Sequence, residues 1–381
     1  MYRVMTIYGT RPEAIKLAPL ISEMHAHESI EPVVTVTGQH REMLDQVNEL
    51  FGIVPEHDLN LMNHGADLAQ MTGSALTSVS NLLSVDRPDV VVVQGDTSSA
   101  FAAGLAAFYH QIPLVHLEAG LRTRNIYSPF PEEVNRRLTA PITALHLAPT
   151  MTSRANLEAE GIPAGSITVT GNTVIDALTR TVGVPVVFRD QRISRLVTSG
   201  EPSLLVTSHR RESWGDRMAE AMMGIRDVSI KHPELQIVLP MHRNPVVRNV
   251  IQGSLLDQPN VLLTEPLSYH EFAHLLRACR LVVTDSGGVQ EEAPSLGKPV
   301  LVMRDTTERP EALEAGTVKL VGTDRDFIRD ETLKLLEEPD AYAVMANAVN
   351  PYGDGHAASR GVAAIAQLLG LGERLPEFLG A

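Results

Sequence analysis

Four groups in this sequence are suited to moving protons: Asp96 in QGDTSS, Glu118 in HLEAGLRT, Glu132 in SPFPEEVNRR and His209 in TSHRRES. Carboxylates and imidazole are the usual general acids and bases, provided a fold brings them to a substrate. Glu118 ends an apolar run, where a charge needs a partner or a task. Asp96 has a simpler reading as the N-cap of a helix starting near Ser98. Glu132 and Glu133 follow Pro131 in what reads as a first helical turn, which the helix dipole alone would favour. His209 reads equally well as a satisfied loop histidine. Three acids at separate strand ends nevertheless shift the weight towards acid–base chemistry.

A second constellation points to anion binding. In DSGGVQEE, Asp285–Glu292, Ser-Gly-Gly follows the apolar run Leu281–Thr284 and opens a helical pattern. Bare backbone N–H groups and the helix dipole favour negative charge there. Glu291 and Glu292 then follow at once, which a phosphate alone would not explain. The formal net charge is −14, so the chain is a poor nucleic-acid binder and must concentrate cations locally to hold an anion. Arg11, Lys16, Arg210, Arg211, His242 and Arg309 are the candidates.

Neither a G-x-G-x-x-G after a strand nor a G-x-x-x-x-G-K-[ST] is present, so no dinucleotide or P-loop fingerprint is expected. His116 and Glu118 could face one metal, but two ligands are too few, and no metal or other cofactor is expected. The one cysteine, Cys279, excludes an intramolecular disulfide and fits a reducing compartment. Its apolar neighbours predict a buried structural thiol. No signal peptide and no bilayer-length apolar run is seen, so the expected location is the cytoplasm, away from membranes.

The elements that must position these groups alternate. Strand-like runs are Val4–Tyr8, Pro32–Thr37, Asp89–Val93, Leu114–Leu117, Leu145–Ala148 and Ile167–Thr170. Several precede helical spacing, as at Pro12–His27, Arg41–Phe51 and Ser98–Tyr109. The alternation restarts with Leu204–Thr207, Gln236–Leu239, Val261–Leu263, Leu281–Thr284, Val300–Met303 and Lys319–Val321. Solid aliphatic runs such as DVVVV predict parallel strands covered on both faces. Thr181–Pro202 shows no clear period and reads as a linker. The expected fold is α/β, with two doubly wound Rossmann-like domains facing each other. The expected division is 1–180 for the first domain and 181–355 for the second, with 356–381 packing back on the first. Ligands of such sheets bind at the carboxyl ends of strands, where most of the marked loops fall.

GTRPEAIKLAPL, TGQHREMLDQV, GDTSSA, HLEAGLRT, YSPFPEEVNRRLT, GNTVIDAL, HRRES, DSGGVQEEAPSLGKPVLVMRDTTERPEA and NPYGDGHAAS occur in this order. Together they resemble the non-hydrolysing UDP-N-acetylglucosamine 2-epimerases, from Gly9 to about Arg360. The resemblance implies a glycosyltransferase B-type fold, an active site in the interdomain cleft, a homodimer, and a UDP-sugar ligand without nicotinamide or metal. It places the pyrophosphate against the N–H groups of Ser286, Gly287 and Gly288, with Arg11 and His209 or Arg210 nearby. Glu292 then accepts the ribose hydroxyls, and Lys16, His242 and Arg309 join the ligand. The implied catalytic groups are Asp96, Glu118, Glu132 and His209.

Some bacterial members of that family bind a second UDP-N-acetylglucosamine as an activator. The matching positions here are Gln39, His40, Glu133 and Arg211. Two departures from the family pattern are Arg243, where relatives often have leucine, and the short Ser98–Ser99 in place of a threonine run.

The C2 proton of N-acetylglucosamine is not next to a carbonyl, so direct deprotonation gives no stabilised carbanion. The family's route eliminates UDP to give 2-acetamidoglucal, then re-adds it with protonation on the other face of C2. Asp96 and Glu132 are expected to transfer protons on the two faces, with Glu118 as organiser or base and His209 as donor to the leaving phosphate. Competing expectations are a hydrolysing 2-epimerase, a glycosyltransferase of the same architecture, and a silent UDP-sugar-binding regulator, because fold alone does not choose among chemistries.

Overall fold

The computed structural model describes residues 1–38, 41–61, 67–210, 213–307 and 309–380, which form two compact units. The first comprises Met1–Ala177 and Tyr352–Gly380, and the second Leu178–Pro351.

Strands β1 (Tyr2–Tyr8), β2 (Ile30–Val36), β3 (His57–Asp58), β4 (Val90–Gln94), β5 (Leu114–Leu117), β6 (Leu145–Ala148) and β7 (Ile167–Val169) build the first sheet. Their order is β3-β2-β1-β4-β5-β6-β7, with every pairing parallel. Val90 to Val93 are all fully buried, as the aliphatic run predicts, because helices cover both faces. Helix Ser98–Tyr109 approaches closely because its sheet-facing positions are Ala100, Ala103, Ala106 and Ala107. Gly104 adds to this closeness, since a Cβ there would lie 3.0 Å from Leu114 Cδ2 and would press on that side chain.

The chain returns to this unit through helix Ala357–Leu368, whose first N–H groups are capped by the Asp176 carboxylate. Gly361 lets it seat, because a Cβ would lie 2.8 Å from Leu20 Cδ1.

The second sheet contains β8 (Ser203–Thr207), β9 (Gln236–Pro240), β10 (Val261–Thr264), β11 (Leu281–Thr284), β12 (Val300–Val302) and β13 (Val318–Leu320). Its order is β10-β9-β8-β11-β12-β13, again all parallel. Leu204, Val206, Ile237, Leu239, Leu281 and Val283 pack against Met222, Ile225, Val228, Val247 and Ile251. Each fully buried side chain of this size is worth about 1.5–3 kcal/mol.

Both units are thus doubly wound and Rossmann-like. The strand order reverses direction between β1 and β4 in one sheet and between β8 and β11 in the other. Ligands of such sheets bind outside the carboxyl ends of the strands at that reversal.

Thr181–Pro202 is more ordered than a linker. It holds helix Gln191–Ser199, N-capped by Asp190 and ended by Gly200 at φ 71°. Ile193 and Leu196 are its buried residues; with so few, its periodicity was illegible. Cys279 is fully buried, and burial pushes its thiol up to about 12. Among the described residues, no helix is long and apolar enough to cross a membrane.

Candidate active site

In the first unit the acids gather where the sheet reverses. β4 ends at Gln94 and delivers Asp96 after Gly95, which has φ +70°. β5 ends at Leu117 and delivers Glu118 in the left-handed region, at φ 64°. A non-glycine residue held there costs of order 1–3 kcal/mol and persists only where its surroundings over-determine it. They do so here. The Glu118 carboxylate, 8% exposed, accepts from Lys16 Nζ and Gln94 Nε2, and from Asn172 Nδ2 at 3.1 Å. Lys16, from helix Arg11–His25, is therefore the ionic partner of Glu118, at only 12% side-chain exposure. Arg11 opens the same helix and is half-buried.

Asp96 does not cap the following helix. Thr97 does, accepting from the Ala100 N–H at 3.0 Å, which frees the Asp96 carboxylate for other work. Thr97 Oγ1 also donates to the fully buried Glu13, which accepts the Gly9 and Thr10 N–H groups and so ties the β1 and β4 loops together. Burial raises the Glu13 pKa, and those hydrogen bonds oppose it.

His116 turns its Nε2–H to the Gly95 carbonyl at 2.7 Å instead of joining Glu118. Burial lowers it to about 4, so it is a neutral prop for the Asp96 loop. Glu132 begins helix Glu132–Thr139, and its side chain makes no hydrogen bond or ion pair among the described residues. Glu133, the next residue, is fully buried and accepts the Thr123 and Arg124 N–H groups at 3.0 and 3.1 Å. Gln39, His40 and Arg211 lie outside the described residues.

In the second unit the loops after β8 and β11 meet. Asp285, 1% exposed, accepts from Ser208 Oγ, His209 N–H and Arg210 N–H at 3.1, 2.8 and 2.9 Å. His209 Nδ1 lies 3.0 Å from its other oxygen, which leaves His209 Nε2 as the outward nitrogen. Burial alone would raise the Asp285 pKa, but the His209 contacts and the two backbone donors lower it on balance. The His242 ring stacks on His209 at 6.3 Å, and its pKa is lowered by burial and then by His209.

Helix Gly287–Ser295 starts at the Ser286 N-cap, whose own N–H donates to Thr284 Oγ1 at 2.9 Å. Gly287 and Gly288 remain as helix-start donors. The Arg309 guanidinium packs against Gly287, where a Cβ would come within 2.7 Å of Nη1. Glu291 Oε1 holds it there at 2.7 Å from Arg309 Nε, as a buried pair. A cation against the positive end of a helix makes a site for an anion. The acids after the glycines thus have separate tasks. Glu291 anchors Arg309, and Glu292 accepts from Tyr269 Oη at 3.0 Å.

Sequence reading assigned no role to the partners Gln94, Asn172, Asn135, Arg136, Asp285, Tyr269 and Glu291. Only Asp285 and Glu291 carried a signal, being charges beside a glycine turn. The others are polar residues whose tasks appear only once the strands are ordered.

The UDP-N-acetylglucosamine 2-epimerase family model matches residues 22–366. The UDP-N-acetylglucosamine 2-epimerase of Escherichia coli K12 is 50% identical over 364 residues, covering 94% of this chain and 96% of that protein. That of Bacillus subtilis is 50% identical over 360 residues, covering 94% and 93%. The Neisseria meningitidis UDP-GlcNAc 2-epimerase, solved bound to UDP-GlcNAc, superposes with a TM-score of 0.88 at 46% identity, covering 96% of this chain and 99% of that one. A chain matched this far, over both of its units, belongs to the UDP-N-acetylglucosamine 2-epimerase family.

Proposed function

We propose that the protein interconverts UDP-N-acetylglucosamine and UDP-N-acetylmannosamine by eliminating UDP to 2-acetamidoglucal and adding it back. The observation that carries this reading is Glu118, held in a left-handed conformation by Lys16, Gln94 and Asn172, on the same sheet end as Asp96. Such a built-in strain suits a catalytic organiser. Asp96 and Glu132 serve the two faces of C2, one removing the proton as the C1–O bond breaks and the other returning it. The three ligated positions around Glu118 favour its role as organiser. His209, oriented by Asp285 at Nδ1, donates through Nε2 to the departing phosphate.

The second unit holds the nucleotide, with diphosphate at Gly287, Gly288 and Arg309 and ribose at Glu292. Arg11 and His242 add cationic or donor contacts. The test is incubation of UDP-N-acetylglucosamine with the protein in deuterium oxide. UDP-N-acetylmannosamine with deuterium at C2 is expected by NMR. Free N-acetylmannosamine with UDP would instead indicate hydrolysis, and no C2 exchange would refute the epimerase reading.

Gly287→Ala should push Arg309 off the helix start. UDP affinity then falls about tenfold, equivalent to about 1.4 kcal/mol, as read by calorimetry. Unchanged affinity would exclude the Arg309 contact.

We further propose that the protein acts in the cytoplasm as a homodimer, activated by a second UDP-N-acetylglucosamine. Helix Leu68–Val85 supports the dimer. Its 18 residues carry no charge, yet only Ala75, Val79 and Leu83 are buried. Phe108 and Tyr109, on a helix packed beside it, are 52% and 63% exposed. Interface cores are depleted of charge and enriched in aromatic residues. The double variant Thr77→Lys/Asn81→Lys should be a monomer by light scattering, with its melting midpoint read at matched concentration. A dimer of unchanged dissociation constant would place the interface elsewhere.

A further inference from the structure

Helix Glu132–Thr139 contributes more than Glu132. Residues three and four apart share a helix face, so Glu132, Asn135 and Arg136 point the same way. Asn135 Nδ2 donates to the Asp96 main-chain carbonyl at 2.8 Å. Arg136 Nε donates to Asp96 Oδ2 at 2.8 Å, and its Nη2 lies 2.5 Å from the same oxygen. Nη1 donates to Glu133 Oε2 at 3.1 Å. One guanidinium therefore ties the Asp96 loop to the helix that starts with Glu132, and through Glu133 to the Thr123–Arg124 backbone. Asp96 Oδ1 has no partner among the described residues, so the clamp occupies one oxygen and leaves the other for a substrate.

We infer that Arg136 is a positioning residue for epimerisation, fixing the Asp96 carboxylate relative to Glu132 without touching a reacting atom. This rests on the proposed reading of Asp96 and Glu132 as proton-transfer groups. A two-faced proton transfer needs both groups at set distances from one carbon, and a misplacement of about 1 Å can cost about 10²-fold in rate. The planar fork of arginine suits the task, because it offers several N–H groups in fixed directions, which lysine does not. Burial alone would lower the Arg136 pKa, but Asp96 and Glu133 raise it on balance, so the fork stays charged.

The test compares Arg136→Ala, Arg136→Lys, Asp96→Asn and the Asp96→Asn/Arg136→Ala double variant. UDP binding and the melting midpoint are measured to show that each is folded. Arg136→Ala should lower kcat about 10²-fold, with KM for UDP-N-acetylglucosamine within about threefold of the wild type. Free guanidinium ion should restore at least about tenfold of that loss, and should restore nothing to Asp96→Asn. The double variant should be no slower than Asp96→Asn by more than about threefold, because both changes remove one function.

A folded Arg136→Ala with unchanged kcat overturns the inference, as does additivity of the two losses. If Arg136→Ala does not fold, Arg136→Lys carries the test. A kcat loss of at least about tenfold supports the inference, and a smaller one overturns it. A wild-type protein without C2 exchange would overturn the functional reading and this inference together, whereas a variant-only failure overturns the inference alone.

Discussion

Asp96→Asn lowers turnover by about 10²–10⁴-fold, the range set by removing one general acid–base group. UDP affinity should stay near the wild-type value, because Asp96 is proposed to act at C2 of the sugar and not on the nucleotide. The substitution is close in size and costs no helix cap, since Thr97 supplies that cap. Glu132→Gln should fall by a similar factor, and it disturbs no hydrogen bond of Glu132 among the described residues. The two variants should differ in what they still do. If each acid serves one face of C2, each variant retains C2 exchange for one epimer and loses it for the other. NMR of both epimers in deuterium oxide reads this directly. Near-full turnover by either variant would remove that residue from the proton-transfer role. Identical exchange patterns would remove the assignment of opposite faces.

Asp285→Ala should be the most damaging change in the second unit. It leaves two backbone N–H groups and the Ser208 hydroxyl without their acceptor, and His209 without its orienting carboxylate. Hydrogen bonds to a charged group are worth about 1.5–3 kcal/mol each, and water fills part of the gap, so a loss of about 3 kcal/mol is expected. Calorimetric or denaturant unfolding reads it. UDP binding should weaken together with stability, because the β8 loop carries His209 and Arg210.

The same carboxylate gives a pH dependence. Its folded pKa is depressed, so its stabilisation is fully present above the unfolded value near 3.9. It is lost as pH falls through the folded value. The variant's stability deficit should therefore shrink in acid. A deficit that does not change between neutral pH and pH 3 would contradict this account of the loop.

The fold was legible because its signals are additive. Runs such as Val90–Val93 and Leu281–Thr284 give buried strands wherever they occur, and helices between them force parallel pairing. β3 escaped because its two residues, His57 and Asp58, carry no apolar signal. The helix Gln191–Ser199 escaped because it buries one narrow stripe.

At the site, the residues at strand ends could be found, but their partners could not. Lys16 reaches Glu118 across 102 positions of sequence, and Arg136 reaches Asp96 across 40. Such pairs depend on strand order, which periodicity does not encode. The doubled acids after Gly288 could be noticed in sequence, but the Glu291–Arg309 pair required the β11 and β12 loops to be set side by side.

The elimination step itself is tested by labelling the oxygen that bridges the anomeric carbon and the β-phosphate of UDP-N-acetylglucosamine. If the C1–O bond breaks in every epimerisation, the label spreads into non-bridging positions of the β-phosphate as UDP-N-acetylmannosamine accumulates. Inversion at C2 with the label still wholly in the bridge would contradict the account.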